Sequence, residues 1–223
     1  MKKYSLVSSA IMQRVFKIQV ENTIGTGFVV ENADKKFLVT AKHLFKSVNY
    51  PETTSVEIYT EKGVEKINNQ IKYSLESDVA VIHTSLFDSY HFEKVNYTNE
   101  KLFISQEVFM LGFPYGNQME YYKLNNGYPL PLVKHGIVSG FMGNKLWIDW
   151  DNNPGFSGGP VVYRELNEEG YSDTEYIGGI ISCYITHPID VEGKLCENSG
   201  IGGAITIKEA LDVIKEETVR KSL

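Results

Sequence analysis

Asn153-Pro154-Gly155-Phe156-Ser157-Gly158-Gly159-Pro160 is the stretch on which the reading of this chain turns. A serine set among glycines can sit on a tight turn with its hydroxyl exposed and backbone amides converging beside it. Gly155 lets the chain take a positive φ, and Gly158 and Gly159 keep side chains out of the space a reacting group needs. The amides of Gly155 and Ser157 then form a candidate oxyanion pocket. Losing one such donor typically costs about 3 kcal/mol of transition-state stabilisation. Taken alone, the octapeptide reads equally well as an ordinary glycine-rich turn, so its meaning depends on partners for Ser157.

Two partners appear upstream. Phe37-Leu38-Val39-Thr40-Ala41-Lys42-His43 is a β-favouring run that ends in a small-residue turn bearing His43. Ser77-Asp78-Val79-Ala80-Val81-Ile82 is an apolar strand opened by an acid. A serine hydroxyl is a weak nucleophile until a base removes its proton, and imidazole is the side chain whose ordinary pKa suits that task.

With T-A-x-H, S-D-V-A-V and G-x-S-G-G-P in that order, the chain resembles the trypsin (chymotrypsin) family of serine proteases. The order His, Asp, Ser is that family's, distinct from subtilisin and the α/β-hydrolases. Further segments are similar to the HtrA/Deg-type bacterial branch. They are Gly25-Thr26-Gly27-Phe28, Leu111-Gly112-Phe113-Pro114-Tyr115-Gly116, Gly136-Ile137-Val138-Ser139, Ile180-Ile181-Ser182 and Gly200-Ile201-Gly202-Gly203-Ala204-Ile205. Each motif is weak and the ordered set is strong. The resemblance implies an all-β fold of two antiparallel six-stranded β-barrels with a C-terminal helix. The whole chain is then one peptidase domain, its barrels at about 10–95 and 105–205 and its helix at about 207–219.

The resemblance also distributes roles. Ser157 becomes the nucleophile, and His43 the base and then the acid that protonates the leaving amine. Asp78 orients the imidazole, and Ser182 supports Asp78. Asp151 falls where trypsin places its pocket acid, which implies cleavage after basic residues; its alternative is a solvated turn acid. Tyr184 falls where trypsin has a pocket-wall glycine, which implies a narrowed pocket. Phe156 occupies the position of the acid that activates trypsin zymogens, so activation through a new N-terminal amine is not expected. With no room for a PDZ domain, restraint by the chain's own loops or by a regulatory protein partner is the expectation. Two rivals remain. One is a protease-fold binding module that has lost catalysis, its oxyanion turn distorted by Phe156. The other is an esterase whose nucleophile elbow is Gly155-x-Ser157-x-Gly159, followed by Asp173 and His187. That fold needs a helix after the serine, and Pro160-Val161-Val162-Tyr163 reads as strand.

Composition bounds the rest. The 223 residues, 42% hydrophobic, suffice for a substantial core. A net charge of −6 argues against a nucleic-acid partner, and no run is long enough to span a membrane. Met1-Lys2-Lys3 starts like a signal peptide, but the apolar run after it is short, so 1–12 reads as a mature N-terminus. Two cysteines, Cys183 and Cys196, are too few for a disulfide framework. They read either as thiols in a reducing compartment or as one bridge, and cytoplasm is the expected location. His83, His91, His135 and His187 have no metal-like spacing, and neither metal nor organic cofactor is expected. Strands are expected at 14–20, 26–31, 36–41, 55–60, 79–84, 107–111, 145–149, 160–163 and 176–184. Thr206 and Glu209 form a candidate capping box for a helix whose Ile207, Leu211 and Ile214 share one face. Polar loops are expected at 61–70, 85–102, 121–131, 164–175 and 187–199.

Overall fold

A computed structural model describes residues 7–117, 130–167, 170–188 and 196–220. The Met1-Lys2-Lys3 start and most of the loop expected at 121–131 lie outside the described residues. A single helical turn, α1 (Ser9–Met12), precedes the first strand.

The first sheet has seven strands: β1 (Val15–Val20), β2 (Thr23–Asn32), β3 (Lys35–Thr40), β4 (Val56–Thr60), β5 (Gly63–Ile67), β6 (Ile71–Tyr73) and β7 (Ala80–His83). Their order is β5-β4-β1-β2-β3-β7-β6. The sheet curls until Thr53, just before β4, bridges Gln70, just before β6. Six strands therefore make the ring, and β5 extends it as a hairpin on β4.

The second sheet follows a short strand β8 (Asn96–Tyr97) and contains β9 (Glu107–Gly112), β10 (Leu132–Met142), β11 (Lys145–Asp149), β12 (Pro160–Asn167), β13 (Gly170–Pro188) and β14 (Cys196–Thr206). Its order, β12-β9-β10-β11-β14-β13-β8, closes through a β12–β13 ladder, again leaving a six-membered ring with β8 added in parallel to β13. This is the expected double β-barrel. Helix α2 (Ile207–Arg220) ends it.

Three apolar clusters explain why the strands pack this way. Phe16, Ile18, Val29, Leu38, Ile58 and Ile82 fill the first barrel. Val108, Met110, Leu146, Ile148, Val161 and Ile181 fill the second. A third cluster lies between them, where Val15, Phe28, Val30, Val39 and Val81 meet Leu111, Val162, Ile177 and Ile180, with Ile207, Ala210 and Ile214 of α2 against them. A strand serving both a barrel interior and this interface is buried on both faces, hence the unbroken burial of Gly25–Val30 in β2. The shared face expected for α2 is the one that packs here. Glu209, expected to cap back on Thr206, instead accepts from Ser74 Oγ at 3.5 Å.

The loop expected at 164–175 is a hairpin instead: Arg164 pairs with Glu175 in the β12–β13 ladder and bonds its carboxylate at 3.0 Å. The esterase rival falls, because strand rather than helix follows the serine.

Candidate active site

The β3–β7 register sets up the first half of the site. Thr40 pairs with Ala80 at the end of the ladder, so the residues just after β3 lie beside those just before β7. His43 follows on a 3₁₀ turn, Lys42–Phe45. Its backbone N–H donates to Asp78 Oδ1 at 2.7 Å, and its ring Nδ1 lies 2.7 Å from Asp78 Oδ2. Ser182 Oγ donates to the same Oδ2 at 2.6 Å. An ionised carboxylate only accepts, so the imidazole proton belongs on Nδ1 and Nε2 is left as an acceptor. The loop carrying Asp78 is itself tied down. Ser74 Oγ accepts from Glu76 N, Ser77 N and Ser77 Oγ, and Lys42 Nζ donates to Ser74 O at 2.9 Å. The pair is not sealed: the His43 side chain is 38% exposed and that of Asp78 24%. A groove of about 420 Å³ opens beside Asp78 and Ser182.

The second barrel supplies the serine. Phe156 N donates to Asn153 O at 3.2 Å, closing a turn with Pro154 and Gly155 at its centre. Gly155 has φ +102°, which with the preceding proline is the type II pattern. A side chain at Gly155 would also lie 2.3 Å from Phe113 O. After the turn, Gly158 N donates to Ile181 O and Gly159 N to Phe156 O. Ser157 is held against the first barrel by Thr26 N, which donates to its carbonyl at 2.8 Å. Gly158 backs directly onto Thr40 and Ala41, where a Cβ would come within 2.2 Å of Thr40 Oγ1. The amides of Gly155 and Ser157 donate to no described residue.

His43, Asp78 and Ser182 are thus joined by hydrogen bonds, and the turn bearing Ser157 abuts the segment leading to His43. Among the described residues no hydrogen bond joins Ser157 to His43. Phe156 is fully buried in the second barrel and meets Trp150 edge-on at 5.3 Å, so the turn is anchored by an apolar side chain.

The residues singled out for specificity are placed differently. The Asp151 side chain is 65% exposed and lies 3.3 Å from Lys134 Nζ, which also bonds Asp151 O and, at 2.9 Å, Asn153 Oδ1. Asp151 is thus a surface acid lying against Lys134. Tyr184 is exposed and pairs with Gly202 in the β13–β14 ladder. Gly202 is in turn pressed against the Trp150 indole. Cys183 pairs with Gly203 and Cys196 with Pro188, too far apart along the ladder to bridge each other. Although Cys183 is exposed, desolvation of its thiol, opposed by Lys145 and helped by Asp78, raises it above its ordinary range. Among the described residues there is no cluster that could hold a metal, and no helix is long and apolar enough to cross a membrane.

The geometry agrees with comparison to known proteins. The family model for the trypsin-like peptidase domain matches residues 25–167, more than half of the chain and including His43, Asp78 and Ser157. The chain belongs to the trypsin-like peptidase family. No curated protein matches it. Among solved structures, this peptidase domain is similar to the serine endoprotease from Yersinia pestis. Identity there is 22% and TM-score 0.60, with 95% of this chain and 67% of that one covered. The HtrA-type protease AlgW with a tripeptide shows 20% identity and TM-score 0.60 over 93% of this chain, which spans 60% of AlgW. Rv3671c from M. tuberculosis H37Rv, in an inactive form, shows 16% identity and TM-score 0.58 over 93% of this chain and 88% of that one. At these identities the likeness is one of fold.

Sequence reasoning passed over Thr26, Lys134 and Ser74. Thr26 lies inside a motif that carried the resemblance, but a threonine between glycines gives no sign of what its hydroxyl touches.

Proposed function

We propose that the protein is a serine endopeptidase acting on protein or peptide substrates through Ser157, His43 and Asp78. The observation carrying this reading is the Asp78 carboxylate, which takes the His43 backbone N–H, the His43 Nδ1 proton and the Ser182 hydroxyl at once. That arrangement fixes both the position and the tautomer of the imidazole. In the proposed reaction Nε2 takes the Ser157 proton as Oγ attacks the scissile carbonyl, and the amides of Gly155 and Ser157 receive the charge on the carbonyl oxygen. His43 then returns the proton to the departing amine, leaving an acyl-enzyme. Water, deprotonated by the same imidazole, releases the acid. A missing Ser157–His43 hydrogen bond is the one observation that favours a latent binding module instead. Such contacts are often long without substrate and tighten in the complex.

A fluorophosphonate probe separates the two. Site mapping by mass spectrometry is expected to find the adduct on Ser157 in the wild type and none in Ser157→Ala. An unlabelled wild type would favour the latent module.

Asp151 gives a second expectation. Since the Asp151 carboxylate is exposed and lies against Lys134, Asp151→Asn should change the P1 profile of a peptide library by less than about threefold, whereas removing a pocket acid paired to a substrate cation costs about 100-fold or more on basic P1 residues.

A further inference from the structure

We propose that Thr26 is a positioning residue for the oxyanion pocket, a hydroxyl from the first barrel that aims backbone amides of the second. The inference rests on the reading of Ser157 as nucleophile.

The pocket is made of peptide groups that have little stiffness of their own. Gly155 sits at its centre, and glycine accepts many backbone angles. What fixes a peptide plane from outside is its carbonyl, because in a trans peptide the N–H points opposite the C=O. The carbonyls of this turn are all held. Pro154 O accepts from Tyr115 N at 2.8 Å, which turns the Gly155 N–H the other way. Phe156 O accepts from Gly159 N at 2.9 Å, which does the same for the Ser157 N–H. Between these two planes lies the Gly155 carbonyl, and it accepts from Thr26 Oγ1 at 2.7 Å.

Thr26 does more than hold one plane. Its Oγ1 accepts from Phe113 N at 3.2 Å, and Phe113 leads into the Tyr115 amide that holds Pro154. Its own N–H holds Ser157 O, and its own carbonyl accepts from Thr40 Oγ1 at 2.7 Å. One buried hydroxyl thus couples the central plane of the turn to the segment that sets the preceding plane. The side chain must both donate and accept, which a hydroxyl does and a methyl cannot. Without it the Gly155 carbonyl and the Phe113 amide are both left unpaired in a buried site. The turn then relieves that penalty by rotating, and the Gly155 amide moves off target.

The test uses the full chain with Thr26→Val, which keeps the shape and removes the hydroxyl, with Thr26→Ser, which restores it, and with Thr26→Ala. Peptide hydrolysis gives kcat and KM, a peptide aldehyde reports affinity for a tetrahedral oxyanion, and thermal melting reports folding. Thr26→Val is expected to lower kcat by about 10²–10³-fold, to weaken the aldehyde by a similar factor, and to leave KM within about threefold. Thr26→Ser is expected to recover most of the lost kcat. If Thr26→Val does not fold, Thr26→Ala carries the same expectations. A loss of kcat without a matching loss of aldehyde affinity, or a Thr26→Ser variant as impaired as Thr26→Val, would overturn the proposal. Failure of the underlying reading looks different: there, Ser157→Ala itself would leave hydrolysis intact.

Discussion

Ser157→Ala and His43→Ala are each expected to lower kcat for peptide hydrolysis by about 10⁶-fold, and Asp78→Asn by about 10⁴-fold. The double variant Ser157→Ala/His43→Ala should be no worse than either single one, because nucleophile and base act as a unit. The Asp78 substitution is the most informative, since its effect follows from the hydrogen bonds alone. Oδ1 faces a backbone N–H of His43, which can only donate, so an asparagine must keep its carbonyl oxygen there. Its amide nitrogen then takes the place of Oδ2, opposite His43 Nδ1 and Ser182 Oγ. The serine hydroxyl can turn round and accept. The imidazole must switch its proton to Nε2 to accept on Nδ1, and a protonated Nε2 cannot act as base toward Ser157. The protein stays folded and the geometry survives, but the tautomer is wrong. Steady-state kinetics on one peptide substrate, with melting temperatures as control, measures this. An Asp78→Asn enzyme within tenfold of wild type would mean that His43 is not the base.

What was legible in the sequence was what the chemistry forces into local patterns. Ser157 could be recognised because its turn needs Gly155 at positive φ and glycines that back onto Thr40 and Leu111. His43 and Asp78 could be recognised because each ends or opens an apolar run, and Ser182 only through the family resemblance. The strands with one face in a barrel and one in the interface, such as β2 and the middle of β13, were equally plain as apolar runs. By contrast, the outer half of the β12–β13 hairpin buries no apolar face and is held by the polar side chains of Arg164, Glu175, Lys101 and Glu165, so it lacks the alternation that marks a strand. Asp151 illustrates a different limit. Its place in the chain matches a pocket acid, but its carboxylate lies against Lys134, seventeen residues earlier on β10. No local pattern announces such a pairing, and the same holds for the contact between Thr26 and Gly155.

Substitution of Arg14 is expected to have the largest effect on stability. Its side chain is completely buried. Nε donates to Ala10 O at 3.0 Å, one terminal nitrogen to Val29 O at 3.2 Å and Tyr97 Oη at 2.6 Å, and the other to Glu93 O at 2.5 Å. The Phe92 ring lies 5.1 Å from the guanidinium carbon, and Glu31 supplies the nearest carboxylate at 3.7 Å. Burial also pushes the Tyr97 hydroxyl above its ordinary range, so it remains a neutral partner for the cation. The planar fork therefore joins α1, β2 and the segment that leads from one barrel to the other, a set of directions that a lysine ammonium cannot reproduce. Replacing Arg14 by methionine fills the volume but takes the donor away from Ala10 O and Glu93 O and leaves Val29 O only the Tyr97 hydroxyl at 3.5 Å. By analogy with breaking a buried ion pair, the cost is about 3–5 kcal/mol, and in a domain of this size that lowers Tm by about 10 °C or more. Arg14→Lys should recover only part of this. Urea and thermal denaturation of the three proteins measure it. A loss below about 1 kcal/mol in Arg14→Met would mean that water enters to satisfy the carbonyls, and that the barrels are held together by the apolar cluster between them alone.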